Sequence, residues 1–272
     1  GLPEELAYLA LIESAFLTSS TSSRGAAGLW QFVPSTARLY GLKIDPWVDE
    51  RRDPEKSTRA AAAYLKDLHS YFGRWYLATA AYNAGQGAIN KALQQSGAKD
   101  FWTLTRKAEL SDETRNFVPK FVAAAIIATD LEKYGFANLQ YEPPLEYEEV
   151  EIRRPLRLGA LAEMADTEVS TIRELNPALV GKATPAGTFT VKLPIGKAVL
   201  FAKAYDTLNE RYAESTQSVT HKVKKGETLT SIARRYGQEV SALMKLNGLT
   251  SARLHVGQHV NILLQNLSGN LK

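Results

Sequence analysis

The chain has 272 residues with a net charge of +4 and a pI of about 9.1, and 44% of its residues are hydrophobic, which is an ordinary globular composition with room for one large or two to three small domains. The absence of any apolar run of roughly 18 or more residues argues against a transmembrane helix, and the absence of cysteine excludes disulfides. We find no nucleic-acid motif, and the mild positive charge favours a solvated basic surface over a dedicated polyanion site.

The first predicted element is a helix that ends near Glu13. Its core-facing stripe recurs at helical intervals and consists of Leu2, Leu6, Leu9 and finally Glu13. Pro3 suits the first turn, where a missing N–H costs nothing. Because Glu13 ends an apolar stripe, we expect its carboxyl to be partly dehydrated, which raises its pKa and suits a general acid. On periodicity alone, a structural role for Glu13 is the commoner explanation.

A segment of small residues, 25–28, follows and leads to Trp30 and Gln31. Small side chains let the backbone approach a ligand closely. Trp30 offers a flat apolar face, and the amide of Gln31 can both donate and accept hydrogen bonds. Together with the acid, this combination suits a polar substrate with apolar ring faces, such as a sugar.

The rest of residues 1–140 is also predicted to be helical. The predicted helices are, in order, 34–40, 54–72, 75–82, 87–96 and 111–134. Asp53 and Pro54 form an N-cap and first-turn pair, and Gly135 is expected to stop the last helix. A helical block of about 140 residues is large enough to bury its own core.

The composition changes at 141–157, where prolines and glutamates are dense. We predict a linker or edge strand here. The alternation of glutamates with Val150 and Ile152 suits a strand with one wet face, and we favour this over a metal site. The histidines give no zinc pattern either, because His255 and His259 fall in a predicted turn and strand.

Two later segments repeat each other. Leu158 matches Leu229 and Asn176 matches Asn247, each 71 residues later. Each copy has the pattern of two short amphipathic helices, and a Val-rich strand follows. Such self-similarity indicates two copies of one small module.

Three ordered motifs of the first block resemble the lytic transglycosylases of the bacterial cell wall, whose fold is related to goose-type lysozyme. They are Glu13-Ser14 with Ser22 and 25–37, then 80–85, then 113–120. The second repeat resembles a LysM domain through 221–229, 232–233, 246–247 and 256–258. The combination resembles that of the membrane-bound lytic murein transglycosylase D type.

The resemblance implies an α+β multidomain fold: an all-α, lysozyme-like catalytic domain followed by two small βααβ LysM-like modules. The predicted divisions are the catalytic domain at 1–140, a linker or edge strand at 141–157, a degenerate LysM-like module at 158–198, a connecting helix at 199–216 and a LysM domain at 217–265. The first copy has Arg157-Leu158-Gly159 in place of the Lys-Gly-Glu-Thr-Leu turn. We expect it to keep the fold, and its sugar binding is left open.

The resemblance also implies a reaction. Glu13 would protonate the oxygen of the β-1,4 bond between N-acetylmuramic acid and N-acetylglucosamine. The ionised Glu13 would then take the proton of the muramic C6 hydroxyl, whose oxygen attacks C1 and closes a 1,6-anhydro ring. Intramolecular attack replaces water, which gives the advantage of a tethered reactant. The enzyme would be a lyase that acts on peptidoglycan strands without a metal or cofactor.

The resemblance carries over a set of substrate-binding residues, namely Ser22, Gln31, Tyr82, Asn83 and Glu113. From the residues alone, Tyr82 is also explained as a core aromatic whose hydroxyl reaches solvent, and Glu113 as a charge at a helix N-terminus. Phe117 stands where the family often has tyrosine. The glycan-binding candidates in the LysM copy are Gly226, Glu227, Thr228, Leu229, Asn247, Gly248 and Leu249.

Two other functions remain open from the sequence: a lysozyme-like hydrolase on the same scaffold, and a non-catalytic wall-binding protein. Gly1 opens on helix pattern without a signal sequence, so we expect a mature or trimmed fragment. The family's expected location is the bacterial cell envelope, in the periplasm, with outer-membrane anchoring through a segment ahead of Gly1. We expect a monomer with no nucleic-acid partner.

Overall fold

The computed structural model describes the backbone of residues 1–236 and 238–265, and the side chains of all of these except 209–219 and 263–265. The chain divides into two compact units, Gly1–Ala198 and a second unit that starts at Val199. Across the part of the chain that is described, none of the helices combines the length and apolar character needed to span a membrane.

The first unit begins with a helical block. Its elements are a 3-10 turn at Glu4–Ala7, α1 (Tyr8–Ser14), α2 (Pro34–Leu39), a 3-10 turn at Glu50–Arg52, α3 (Pro54–Phe72), α4 (Trp75–Ala84), α5 (Gln86–Ser96), α6 (Phe101–Lys107) and α7 (Asp112–Thr129). The predicted Asp53 cap is confirmed, since its carboxylate accepts the N–H groups of Glu55 and Lys56 at 3.0 and 2.8 Å. Gly73 ends α3 in the left-handed conformation, with φ +67°.

Two helix predictions need correction. The sequence analysis missed α6, which starts where the Asp100 carboxylate accepts the Thr103 N–H at 2.9 Å. The last helix, α7, ends at Thr129, well before Gly135, because the backbone leaves the helical conformation at Asp130, with φ −145° and ψ 64°.

The core of the helical block is formed by two buried clusters. One contains Leu6, Leu9, Trp30, Phe32 and Phe117, and the other contains Leu77, Ile89, Phe101, Leu104 and Val118. Helix α4 contributes fully buried alanines to the second cluster, and their small side chains allow the neighbouring helices to approach closely. This packing holds α3, α4 and α7 around the end of α1, where Glu13 lies.

The remainder of the first unit is a small βααβ module. It consists of β1 (Glu148–Ile152), α8 (Leu158–Met164), α9 (Val169–Leu175) and β2 (Phe189–Leu193). The two strands are antiparallel, with Glu148 opposite Leu193. Strand β1 lies in the segment 141–157, which the sequence analysis treats as a linker or edge strand. The Asn176 side chain joins the end of α9 to β2, because it bonds Ile172 O at 2.8 Å and both Lys192 backbone groups at 2.7 and 2.9 Å.

The second unit has the same order of elements after a leading helix. They are α10 (Ala198–Ser215), β3 (Thr216–Lys222), α11 (Leu229–Arg235), α12 (Val240–Leu246) and β4 (His259–Gln265). Strands β3 and β4 pair antiparallel. Asn247 repeats the role of Asn176, with bonds to Leu243 O and to both Asn261 backbone groups at 2.7–2.9 Å. The predicted fold class, a helical block followed by two βααβ modules, is confirmed.

Candidate active site

A cleft of about 550 Å³ opens beside the end of α1. Its lining comes from the end of α1, from the loop that joins α1 to α2, from α3, from the end of α4 and from the start of α7. It includes all six residues predicted for catalysis and substrate binding, which are Glu13, Ser22, Gln31, Tyr82, Asn83 and Glu113. These residues are separated by up to 100 positions in the sequence, and the helical packing brings them together.

Glu13 lies half-buried in the last turn of α1. Burial raises the pKa of its carboxyl from 4.5 to about 7, and the negative charge of Glu113 adds to the effect. The helix ends at Ser14, one residue after Glu13, because Ala15 and Phe16 adopt left-handed conformations, at φ +52° and +60°. The expected rise in the Glu13 pKa is therefore confirmed.

The loop that follows is held by its own hydrogen bonds. The Ser22 N–H donates to Ala26 O at 2.9 Å, and the Ser22 hydroxyl accepts the Ala26 N–H at 3.1 Å. The side-chain nitrogen of Gln31 donates to Gly28 O at 2.9 Å. The side-chain oxygen of Gln31 takes no part in that bond. Ser14, next to the acid, donates to Leu29 O at 2.8 Å. The loop is thus attached to the helix that carries Glu13.

Two expectations for this loop are wrong. Trp30 does not offer its ring to a ligand, because it is buried and donates its indole N–H to the Thr58 hydroxyl at 2.8 Å. Gly28 makes its close approach to the chain itself: a Cβ there would lie 1.8 Å from the Arg51 carbonyl oxygen. Its φ of +81° also favours glycine.

Tyr82 anchors the loop from the α4 side. Its hydroxyl donates to Trp30 O at 2.7 Å, and burial together with the Glu13 charge raises its pKa well above the usual value. Tyr82 is therefore a neutral phenol whose hydroxyl proton is already used in the bond to the Trp30 carbonyl. Both earlier explanations of Tyr82 hold in part, since the ring contacts the core cluster and the residue also lines the cleft.

Asn83 and Glu113 form a hydrogen-bonded polar group in the cleft lining. The Asn83 amide donates to Glu113 at 3.3 Å and accepts from the Thr114 hydroxyl at 3.2 Å. Arg24 lies 3.7 Å from the Glu113 carboxylate, and both of these side chains are exposed. This pair places a positive and a negative charge in the cleft lining.

Tyr64 and Arg24 also line the cleft and were not predicted from the sequence. Tyr64 lies within the predicted helix 54–72, and the centre of its ring is 5.3 Å from that of Tyr82 and 5.0 Å from that of Tyr40. Burial raises its pKa. No local signal distinguishes a core tyrosine from one that also borders a cleft, because the difference depends on what lies across from the helix.

The predicted glycan-binding residues of the second module are occupied by internal contacts. Glu227 accepts the Lys224 N–H at 2.9 Å and binds His221 and Arg235 at 2.7 and 2.5 Å. These contacts, the backbone bond first, lower its pKa to about 2. Thr228 caps α11 by accepting the Ser231 N–H at 3.1 Å.

The other candidates of this module have structural roles as well. Leu229 is fully buried, Asn247 is bonded to β4, and Leu249 packs against the module core. Gly226 and Gly248 occupy turns with φ of +87° and +62°. Glycan binding by this set stays a prediction. Among the residues whose side chains the structure describes, no group of three or more is arranged to hold a metal ion.

Three family models match the chain in succession. They are the Transglycosylase SLT domain at residues 1–105, the LysM-like domain of lytic transglycosylase MltD at 146–210, and the LysM domain at 221–262.

Several characterised proteins are similar. Membrane-bound lytic murein transglycosylase D of Escherichia coli (strain K12) is 34% identical over 276 residues, which cover 96% of this chain and 60% of that protein. Membrane-bound lytic murein transglycosylase F of Alcanivorax borkumensis is 34% identical over 108 residues, covering 36% of this chain and 22% of that protein. The 70 kDa soluble lytic transglycosylase of Escherichia coli, a solved structure, is 28% identical over 46% of this chain and 21% of its own, with a TM-score of 0.39. The chain thus spans less than two thirds of the length of these relatives.

Proposed function

Because the chain is a homologue of lytic murein transglycosylase D, with an SLT domain, an MltD-type LysM-like domain and a LysM domain in that order, we propose that it is a peptidoglycan lytic transglycosylase. It cleaves the β-1,4 bond between N-acetylmuramic acid and N-acetylglucosamine without water and leaves a 1,6-anhydromuramoyl end. Glu13 is its single acid and base.

The observation that carries this proposal is the pKa of Glu13, about 7, in a cleft that the predicted substrate-binding residues line. At neutral pH the carboxyl is divided between its two protonation states. The protonated form gives its proton to the glycosidic oxygen, and the resulting carboxylate accepts the proton of the C6 hydroxyl. A group with this pKa serves both steps, which is the requirement of a mechanism with one carboxyl.

The surrounding residues support the two steps in different ways. The negative charge of Glu113 favours the protonated form of Glu13, so it prepares the acid for the first step. Gln31 and Asn83 present amides at the cleft, and these can bond the acetamido and hydroxyl groups of a sugar. Tyr82 holds the loop that carries Gln31 through the Trp30 carbonyl.

The test is mass spectrometry of purified peptidoglycan after digestion. We expect muramic ends that are lighter by one water than hydrolysed ends. Glu13→Gln removes the titrating proton at constant shape and should abolish cleavage while wall binding is kept. Glu4→Gln is the matched control, because Glu4 is exposed on the same N-terminal segment. Full turnover in Glu13→Gln would remove Glu13 from its role.

A second candidate function is hydrolysis, and the presence of Glu113 in the same cleft favours it. Glycoside hydrolases use two carboxyl groups that flank the bond. In this structure the Glu113 carboxylate is instead engaged by Asn83 and Arg24. Reducing muramic ends in the digest would establish hydrolysis in place of the lyase reaction. Binding without any product would indicate a non-catalytic wall protein.

The LysM module, in this proposal, binds N-acetylglucosamine-containing strands and keeps the enzyme on its polymer. Two weak attachments on one strand raise the effective concentration of substrate at the cleft. The substrate and the names of the relatives agree with a location in the bacterial cell envelope. Within it we propose the periplasm, with anchoring at the outer membrane, and a monomeric enzyme.

A further inference from the structure

The first βααβ module is packed against the helical block through backbone contacts. Its segment 178–181 runs antiparallel to 47–49, with Leu179 bridged to Val48. The Asp49 N–H donates to Ala178 O at 2.8 Å, and the Val180 N–H donates to Trp47 O at 3.1 Å. Ala178, Leu179 and Val48 are buried. The contact is therefore hydrogen-bonded and buried in the same way as the interior of a domain.

An ion pair closes the other side of the same contact. Lys192 of β2 binds the Glu55 carboxylate of α3 at 2.6 Å, and its ammonium lies 4.2 Å from the centre of the Tyr147 ring. The Tyr147 hydroxyl also donates to Glu55. The Lys192 side chain is 13% exposed and that of Glu55 is 45% exposed, so the lysine end of the pair is shielded and the carboxylate end is open to solvent.

The contact continues into the block through Asp49. Both Asp49 oxygens accept from Arg51, each at 2.8 Å, and both side chains are buried. This two-bond geometry fixes the plane of the guanidinium. The remaining Arg51 nitrogen donates to Gly25 O at 2.7 Å and to Phe32 O at 2.9 Å.

The two carbonyls that Arg51 binds lie at the two ends of the active-site loop. The segment between Gly25 and Phe32 includes Ala26 and Gln31, which line the cleft. Gly28 of the same loop lies against the Arg51 backbone so closely that a Cβ has no space. A continuous series of contacts thus leads from Ala178 through Asp49 and Arg51 to the cleft.

We propose that the first module is a structural support for the active-site loop, with Arg51 as the positioning residue that transmits its contact, and that it is not a glycan-binding module. The proposal deepens the lytic transglycosylase assignment and rests on it for its kinetic part. The repeat supports it, because the predicted glycan residues 247–249 of the second module correspond to 176–178 of the first. Ala178 of that segment is buried and its carbonyl is bound to Asp49.

The principal test variant is Gly181→Val. A Cβ at this position would lie 2.9 Å from Trp47 Cε3, 3.3 Å from the Ala183 carbonyl oxygen and 3.4 Å from Trp47 Cα, so the substitution crowds the contact between the module and Trp47. Gly159→Val is the matched control, because it lies in the same module and its Cβ would meet nothing within 4 Å. A second perturbation reverses the ion pair: Lys192→Glu and Glu55→Lys singly, then the double variant.

The measurements are kcat and KM on a soluble tetrasaccharide of alternating N-acetylglucosamine and N-acetylmuramic acid, sedimentation with whole cell walls, and amide hydrogen exchange at Ala27 and Gly28. These two N–H groups bond Phe32 O and Ser20 O inside the loop. We expect Gly181→Val to lower kcat by about tenfold to a hundredfold at unchanged KM, as a misplaced loop would. We expect faster exchange at both amides, while Gly159→Val stays at the wild-type values. The double charge variant should recover the activity that each single variant loses.

The opposite pattern overturns the proposal. A raised KM and weaker wall sedimentation at unchanged kcat would make the first module a glycan-binding surface. Unchanged exchange at Ala27 and Gly28 in Gly181→Val would show that the loop does not depend on the contact. If the wild-type chain releases no product from peptidoglycan, the proposed function fails, and the exchange result still decides whether the module supports the loop.

Discussion

The buried acid should cost the protein stability at neutral and alkaline pH, and Glu13→Gln should recover it. The pKa of Glu13 is about 7 in the folded chain and 4.5 in its ordinary state. The folded state therefore holds the proton more tightly than the unfolded state. As pH rises through 4.5 the unfolded carboxyl ionises first, so the free energy of unfolding falls until the folded carboxyl has also ionised, above about pH 7.

The magnitude follows from the difference between the two pKa values. It corresponds to about 3 kcal/mol at full ionisation, and partial contact with solvent reduces this to about 1–3 kcal/mol. Glutamine has the same shape and no charge, so the variant lacks the cost. We expect Glu13→Gln to exceed the wild type by about 1–3 kcal/mol near pH 8 and to equal it near pH 4. The midpoint of thermal unfolding should rise by about 2–4 °C per kcal/mol.

Tryptophan fluorescence is a suitable assay, since all four tryptophans, at positions 30, 47, 75 and 102, lie in the first unit. Denaturant titrations at a series of pH values give the difference between wild type and variant directly. Glu4→Gln, at an exposed position, should show no such pH dependence. A stability difference between Glu13→Gln and wild type that is the same at every pH would refute the reasoning, because it would mean that burial does not raise the pKa of this carboxyl.

Three further predictions concern other parts of the chain. Glu113→Gln removes the charge that helps keep Glu13 protonated, so the alkaline fall of kcat/KM should begin at lower pH; an unmoved pH–rate profile would contradict this. Gly28→Ala should lower the unfolding midpoint far more than Gly25→Ala, since both have positive φ but only Gly28 faces backbone within 1.8 Å; equal losses would contradict it. The pKa of Glu227 is about 2, so its carboxylate should stabilise the second module at pH values above its ordinary pKa of 4.5, and this stabilisation should be lost as the pH falls towards 2. A Glu227→Gln variant should therefore lack the loss of stability between these pH values, as followed by circular dichroism.

The parts of the structure that depend on local chemistry could be read from the sequence. The Asp53 cap and the end of α3 at Gly73 need only neighbouring residues, and the repeated leucines and asparagine fix the two βααβ modules. The burial of Glu13 could be predicted because the residue ends an apolar stripe at helical spacing.

The contributions of Trp30 and Arg51 could not be predicted in this way. The indole N–H of Trp30, in the loop between α1 and α2, bonds Thr58, which lies 28 residues later in α3. The roles of Arg51 depend on Gly25, Phe32 and Asp49 together, and that of Asp49 on a carbonyl in a different module. Such contacts are decided by tertiary packing, which leaves no periodic signal in the local sequence.

The asparagine that closes each module has a consequence for how a tandem duplication diverges. Asn176 and Asn247 secure the helix end to the last strand with an amide, and neither depends on the surface loops of its module. A copy that keeps this amide and its apolar interior retains its shape while its outer residues are replaced. Selection can then assign the two descendants of one ancestral repeat to different tasks without having to invent a new fold for either.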